Sequence, residues 1–333
     1  MLFAFTTTIL FSFSAVFAAR SIRTLGPLRA NFARLVVACL LLGLFAHTLG
    51  HGVGGPAFGW YFLSGVVGFG LGDLALFLAF PRIGSRLTVL LTQCLAAPFA
   101  AVMEWLWLGH RPSAAEALCS TLILAGVGVA IAPARHAANR APGARRGVLI
   151  AGVIAGVVAA LGQGGGAVIS RHAAEFAERL GEPIDGMSAA YQRILGGILF
   201  TSFTVLPFRR GRGARTPAVN PASLLRPEIV RETAATRATD QPDGPADPGF
   251  VAGLRRGWPW VLVNALAGPV LGVACFQTAL LSTPSAIVLP LVALTPITVM
   301  PLTWWLEGDR PRMRGIVGAC LAVVGAVALT QVR

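Results

Sequence analysis

Val66-Val67-Gly68-Phe69-Gly70-Leu71-Gly72-Asp73 opens a stretch that runs to Ile131 and returns between Leu266 and Leu329, beginning Leu266-Ala267-Gly268-Pro269-Val270-Leu271-Gly272-Val273. Gly68 and Gly72 come back as Gly268 and Gly272, and Ala79 and Ser85 as Ala279 and Ser285. One residue then drops out of step, after which Gly109, Arg111, Pro112 and Gly126 match Gly308, Arg310, Pro311 and Gly325. Each copy contains three apolar runs. An odd number of membrane crossings between equivalent points turns the second copy upside down, so the duplication predicts inverted repeats.

The rest of the chain fits that frame. Of 333 residues, 55% are hydrophobic and only 12% charged, with a mean hydropathy of +0.71. These values exclude ordinary soluble domains. Nearly uncharged runs of about 17 to 24 residues each suffice to cross a hydrocarbon core of about 30 Å as a helix. They lack the alternation of barrel strands, and a helix satisfies its own backbone groups in lipid. The fold class predicted is all-α: a polytopic membrane protein with ten transmembrane helices in two inverted five-helix repeats. The spans fall near 3–19, 29–49, 60–80, 86–108, 114–132, 147–169, 188–207, 258–281, 284–306 and 314–331. Residues 1–132 form the first repeat and 147–331 the second. The polar segment 208–257 interrupts the second and is expected to be a disordered basic loop, with a short helix near Arg226 to Thr236. The first run ends in Val16-Phe17-Ala18-Ala19-Arg20, which resembles a signal-peptide cleavage site. No basic residue precedes it, and we read it as a retained helix.

All 27 basic residues are arginine, and the net charge is +13. They lie between apolar runs and not on one face of a soluble domain, which points to anionic lipid headgroups as partners and away from nucleic acid. Loops after odd-numbered spans hold Arg20, Arg23, Arg29, Arg82, Arg135, Arg140, Arg145, Arg146, the long basic stretch within 208–257, and Arg310 and Arg312. Loops after even-numbered spans hold only Arg111, Arg171 and Arg179. The positive-inside rule then places the odd side in the cytoplasm and both termini outside. Composition points to a bacterial cytoplasmic (inner) membrane. The seven tryptophans are expected at helix ends, with Trp60, Trp105 and Trp107 on the even side and Trp258, Trp260, Trp304 and Trp305 on the odd side. The five cysteines, without a CxxC pair, read as small buried hydrophobes.

Asp73 sits about 10 Å deep along its helix, where an ionised carboxylate costs at least about 2.5 kcal/mol unless paired or wetted. Arg34 enters from the same side and is its expected partner, with proton exchange at Asp73 as a coupling hypothesis. Arg193 holds in the seventh span the place Arg34 holds in the second, and by inversion is expected near the outer face. With Gln163, Tyr191, Gln192 and Gln277 it offers hydrogen bonds to a polar substrate, although each of these groups also serves as an ordinary interhelical bond. Pro98 and Pro296 are expected to kink the fourth and ninth spans at matching places near a midplane site, while Pro290 and Pro301 add further breaks. Glu104 lies near the outer end of the fourth span. Gly162-Gln163-Gly164-Gly165-Gly166 lacks the lysine of a phosphate loop, and His47 with His51 lacks the third ligand of a metal site. No cofactor, metal or catalytic residue is expected.

These residues resemble the EamA family of the drug/metabolite transporter superfamily over nearly the whole chain except 208–257. The resemblance rests on Arg34 and Arg193 in the second helix of each half, on Gly72-Asp73, and on Pro98 followed by Leu108-Gly109-His110-Arg111-Pro112 and Gly126. The second copy gives Pro296, then Glu307-Gly308-Asp309-Arg310-Pro311 and Gly325. Members commonly carry Leu-Gly-Glu at that junction; His110 and Asp309 replace the glutamate here. The resemblance implies a transporter of small metabolites, an exporter or exchanger working by alternating access through a central cavity. The alternative is a membrane-embedded binding or regulatory subunit of the same fold. Many members are drawn with both termini in the cytoplasm, opposite to the arginine reading.

Overall fold

The computed structural model describes residues 2–108, 113–131, 143–182, 184–205, 249–283, 285–308 and 313–332. Among them there is no strand. The helices are α1 (Leu2–Leu25), α2 (Pro27–Thr48), α3 (Phe58–Gly65), α4 (Asp73–Leu108), α5 (Ala114–Ile131), α6 (Gly143–Arg179), α7 (Gly186–Val205), α8 (Gly249–Ala265), α9 (Leu271–Ser282), α10 (Ser285–Val292), α11 (Thr295–Glu307) and α12 (Met313–Val332). π-Helical segments join α3 to α4 (Val66–Gly72) and α8 to α9 (Leu266–Val270).

The stretch Phe58–Trp107 is 50 residues, about 75 Å as a helix and far longer than a bilayer core. It folds back at Gly84, whose φ of 78° and ψ of 163° suit glycine alone, and so supplies two crossings. Gly26 makes the same turn between α1 and α2, with φ 77° and ψ 163°. The described residues therefore make ten crossings: α1, α2, α3 into the first part of α4, the rest of α4, α5, α6, α7, α8 with α9, α10 with α11, and α12. Large apolar side chains such as Leu40, Leu44, Leu118, Phe203 and Trp305 face outward, where lipid lies.

Antiparallel packing of equivalent helices establishes the inversion. α5 and α12 are the same helix of the two copies. A Cβ added to Gly126 would sit 2.4 Å from the Ala322 nitrogen, and one on Gly325 2.9 Å from the Ile123 nitrogen. Matching glycines thus let the two backbones touch, the usual basis of helix association where no hydrophobic drive exists between helices. α6 crosses the first π segment with Gly162 against Gly72 and Gly166 against Gly68. In the other half, α1 crosses the second π segment with Ser14 against Gly268, and its hydroxyls bond the residues that flank that segment. Thr7 donates to the Gly272 carbonyl (3.3 Å) and Ser14 to Asn264 Oδ1 (2.7 Å). The first helix of each repeat is thereby exchanged onto the other, and α1 is an integral wall of the bundle.

Several expectations need correction. Pro98 does not break the fourth crossing: α4 runs through it, and its only non-helical residue is Gly84. The ninth crossing does break, between Val292 and Thr295, and Pro296 starts the helix that follows. Hydroxyls cover the freed carbonyls, Thr8 bonding Leu291 O (3.0 Å) and Thr295 bonding Val292 O. α6 extends well past 169 because Arg171 is held by Glu175 (2.8 Å) and by the Leu280 and Leu281 carbonyls. α8 begins at Gly249, so the last residues of the expected loop 208–257 are helical. Trp258 and Trp260 consequently lie within a helix and not at its end, with Trp260 stacked on Phe17 and capped by Arg20 at 4.7 Å. The expected helix at 226–236, most of the loop, Pro183, and the junctions at 109–112 and 309–312 lie outside the described residues.

Candidate functional site

In each π segment one amide reaches back five residues, Asp73 to the Gly68 carbonyl and Leu271 to the Leu266 carbonyl. Such bulges recur at functional positions because they widen a helix and redirect its side chains. Here they make room for the two buried arginines. A Cβ on Gly68 would lie 2.9 Å from Arg193 Nη2, and a Cβ on Gly268 would lie 3.2 Å from Arg34 Nη1. The arginine of each half therefore rests on the bulge glycine of the other. Arg34 and Arg193 are 4% and 5% exposed.

Their surroundings differ. Arg34 forms an ion pair with Asp73, donates from Nε to Asn31 Oδ1 (3.0 Å), and lies 4.6 Å over the Phe77 ring. Arg193 lies 5.2 Å over Phe69, yet its Nε and Nη1 are buried without a hydrogen-bond partner, and among the described residues it has no ion pair. The duplication explains the difference: Asp73 is replaced in the second copy by Val273.

Both arginines, Asp73 and Gln163 line a single cavity of about 70 Å³. Arg193 had been expected near the outer face, but from opposite ends of the membrane the two long side chains reach one central space. The walls continue past Phe77 to Phe80 and Val89, beside the Gly84 turn on the odd side. Sequence reasoning missed Ser14, Thr92 and Gln93 on this wall, with Thr92 Oγ1 and Gln93 Oε1 lacking partners. A glutamine within the apolar run after Ser85 was the available signal.

The other proposed residues lie elsewhere. Tyr191 bonds His47 Nε2 (3.2 Å) and so ties the end of α2 to α7, while Gln192 donates to the Gly52 and Gly54 carbonyls (3.1 and 2.9 Å) and ties the 49–57 loop to α7. Gln277 is buried on α9 with Nε2 unpartnered, but off the cavity wall. Glu104 is half-buried near the end of α4, and Pro98 and Pro296 also lie off the wall.

Polar contacts join the helices on both sides of the bundle. On the even side, His51 Nδ1 lies 3.0 Å from Asp185 Oδ2, while Asp185 Oδ1 accepts from the Met187 and Ser188 amides at the start of α7. Partial burial raises the Asp185 pKa, but the bonds from Ser188, His51 and Met187 prevail and hold it below the usual carboxylate range. On the odd side, Ser85 donates to the Glu307 carboxylate (3.0 and 3.1 Å) and Arg20 to the Leu306 carbonyl (3.0 Å).

A family model described as the EamA-like transporter family matches residues 1–132 and 248–331. No curated protein matches. Among 24 solved chains that do, one described only as a crystal structure of a protein is 16% identical with a TM-score of 0.59, over 99% of this chain and 96% of that one. That likeness shows the shared fold.

Proposed function

Because the chain belongs to the EamA-like transporter family, and so to a family of membrane transporters and not of enzymes, we propose that it exports or exchanges a small polar metabolite by alternating access through the central cavity. One observation carries this reading: a central cavity that holds two buried arginines and Asp73 among mostly apolar side chains lies between two inverted repeats, each lending an arginine to the other's π segment. Inverted repeats around a midplane site are the architecture on which rocking transport operates. The Ser85–Glu307 tie on one side and the His51–Asp185 tie on the other are the contacts that rocking would open in turn. The arginine bias supports a cytoplasmic odd side, with both termini outside. A polytopic helical protein of this composition fits a bacterial inner membrane, where anionic headgroups would meet the loop arginines.

Arg34, Asp73, Gln163 and Arg193 form the substrate contact set in this proposal. Asp73 is the coupling group: protonating it would release Arg34 from its pair. The test is flux of a labelled metabolite panel in proteoliposomes, with and without a pH gradient. Flux that rises with the gradient in the wild type and loses that dependence in Asp73→Asn is the expected result. No flux of any panel member under either condition would favour a non-transporting binding subunit, and full gradient dependence in Asp73→Asn would remove the aspartate from coupling.

A further inference from the structure

The charges around the cavity do not balance. Arg34 and Asp73 cancel, leaving Arg193 as a surplus cation that is 5% exposed and donates no hydrogen bond to any described residue. A guanidinium carries five N–H donors and no acceptor. Burying it unpaired at membrane depth is costly, and the Phe69 ring at 5.2 Å offsets only part of that cost. The packing holds it in place nonetheless. Gly68 and Gly166 both lack the Cβ that would approach Nη2, at 2.9 and 3.2 Å.

The neighbouring groups define what would complete the site. Besides Gln163, the wall offers Thr92 Oγ1 and Gln93 Oε1, both unpartnered, and the rings of Phe11, Phe77 and Phe276. Asp73, the acid on this wall, is already committed to Arg34. We propose that Arg193 is the recognition point for an oxyanion, and that the transported solute is a small organic carboxylate with an apolar or aromatic body. The carboxylate takes the Arg193 donors, Gln93 and Thr92 bond a polar substituent, and the body lies along the phenylalanines toward Phe80. At about 70 Å³ the cavity in this conformation seats the anionic head and little more. The body therefore occupies space that opens on the odd side.

This inference rests on the transport reading but is tested apart from it. Purified protein in detergent is titrated with benzoate, inorganic phosphate, benzamide and benzylamine while its thermal unfolding is followed. Saturable stabilisation by benzoate is expected, with benzamide and benzylamine inert. Binding in Arg193→Gln should be about ten- to a hundredfold weaker, from loss of a charge-assisted contact, with partial recovery in Arg193→Lys. Monodispersity and helical content of each variant establish that it is folded. A Gln93→Leu variant, which keeps both arginines, should bind benzoate but discriminate less among substituted benzoates. Stabilisation by phosphate but not by benzoate would overturn the carboxylate assignment. Benzamide or benzylamine binding as well as benzoate, or undiminished benzoate binding in Arg193→Gln, would overturn the oxyanion site altogether. In proteoliposomes, benzoate binding without flux of any carboxylate would sink transport while leaving the site standing; flux of neutral solutes alone would do the reverse.

Discussion

Arg34 and Arg193 occupy the same place in the two repeats, but replacing each with methionine should affect stability very differently. The Arg34 and Asp73 side chains are only 5% and 9% exposed, so Arg34→Met strands a carboxylate at mid-membrane. Removing one partner of a buried ion pair costs about 3 to 5 kcal/mol. Asp73→Asn should cost a similar amount, because it leaves two buried guanidinium groups without an acid. The double change Arg34→Met with Asp73→Leu removes both charges and should cost far less than the two single changes together, giving a coupling energy of at least about 2 kcal/mol. Arg193→Met deletes the surplus cation. It forfeits a cation–π contact of about 0.5 to 2 kcal/mol but removes an unpaired charge whose burial costs at least about 2.5 kcal/mol, so its net effect should be neutral to stabilising. The assay is reversible unfolding in mixed micelles of rising SDS fraction, followed by far-UV circular dichroism. Equal destabilisation by Arg34→Met and Arg193→Met would refute the charge asymmetry on which the site rests. A cycle coupling within about 0.5 kcal/mol of zero would show that water and not Arg34 compensates Asp73.

Two further outcomes follow from the packing and from the even-side latch. Gly126→Val should prevent α5 from seating on α12, because its Cβ would meet backbone at 2.4 Å, whereas Gly128→Ala, with nothing within 4 Å, should be silent; yields of folded monodisperse protein separate the two. Asp185 has a folded pKa below its unfolded value near 3.9, so its contribution is fully present above about pH 4 and is lost as pH falls through the lower folded value. Asp185→Asn should abolish that acid-side loss in hydrogen exchange of the α7 amides, and Asp185→Ala should weaken the helix start by about 1 kcal/mol through its lost amide bonds.

The sequence made the membrane class, the ten crossings and the inversion legible because these depend on long-range composition and on a duplication that retains its glycines. The Arg34–Asp73 pair was legible for a related reason: buried charges in lipid have few possible partners. The π segments left only an ambiguous signal, since Gly68, Gly70 and Gly72 read equally well as close-packing residues. The proline reasoning failed at Pro98, and at Pro290 and Pro301, through which α10 and α11 run, but held at Pro296. A proline alone does not decide whether a membrane helix breaks, because the outcome depends on what satisfies the freed carbonyls. Thr8 and Thr295 do so at the ninth crossing, and Thr8 comes from the opposite end of the chain. Adjacency in sequence to Arg193 did not bring Tyr191 and Gln192 to the cavity: one and two positions along a helix are turns of about 100° and 200°, which aim Gln192 at the loop carbonyls of Gly52 and Gly54 and Tyr191 at His47 on α2.

The asymmetry between the copies also limits what can occupy the cavity. A duplication that kept an acid at both π segments would enclose two ion pairs and no net charge, and its remaining donors would suit a neutral polyol as well as an ion. Replacement of Asp73's counterpart by Val273 removes one negative charge and leaves every arginine N–H in place. A neutral solute could satisfy those donors but not the charge, which at low dielectric is the larger part of the cost. Only an anion relieves both, and because the pair it forms is buried, its affinity should change little between 0.05 and 0.5 M sodium chloride beyond any competition from chloride itself. Sodium sulfate and sodium gluconate at matched ionic strength separate screening from competition: a steep loss of benzoate affinity in both would place the contact at a solvated surface and not at Arg193.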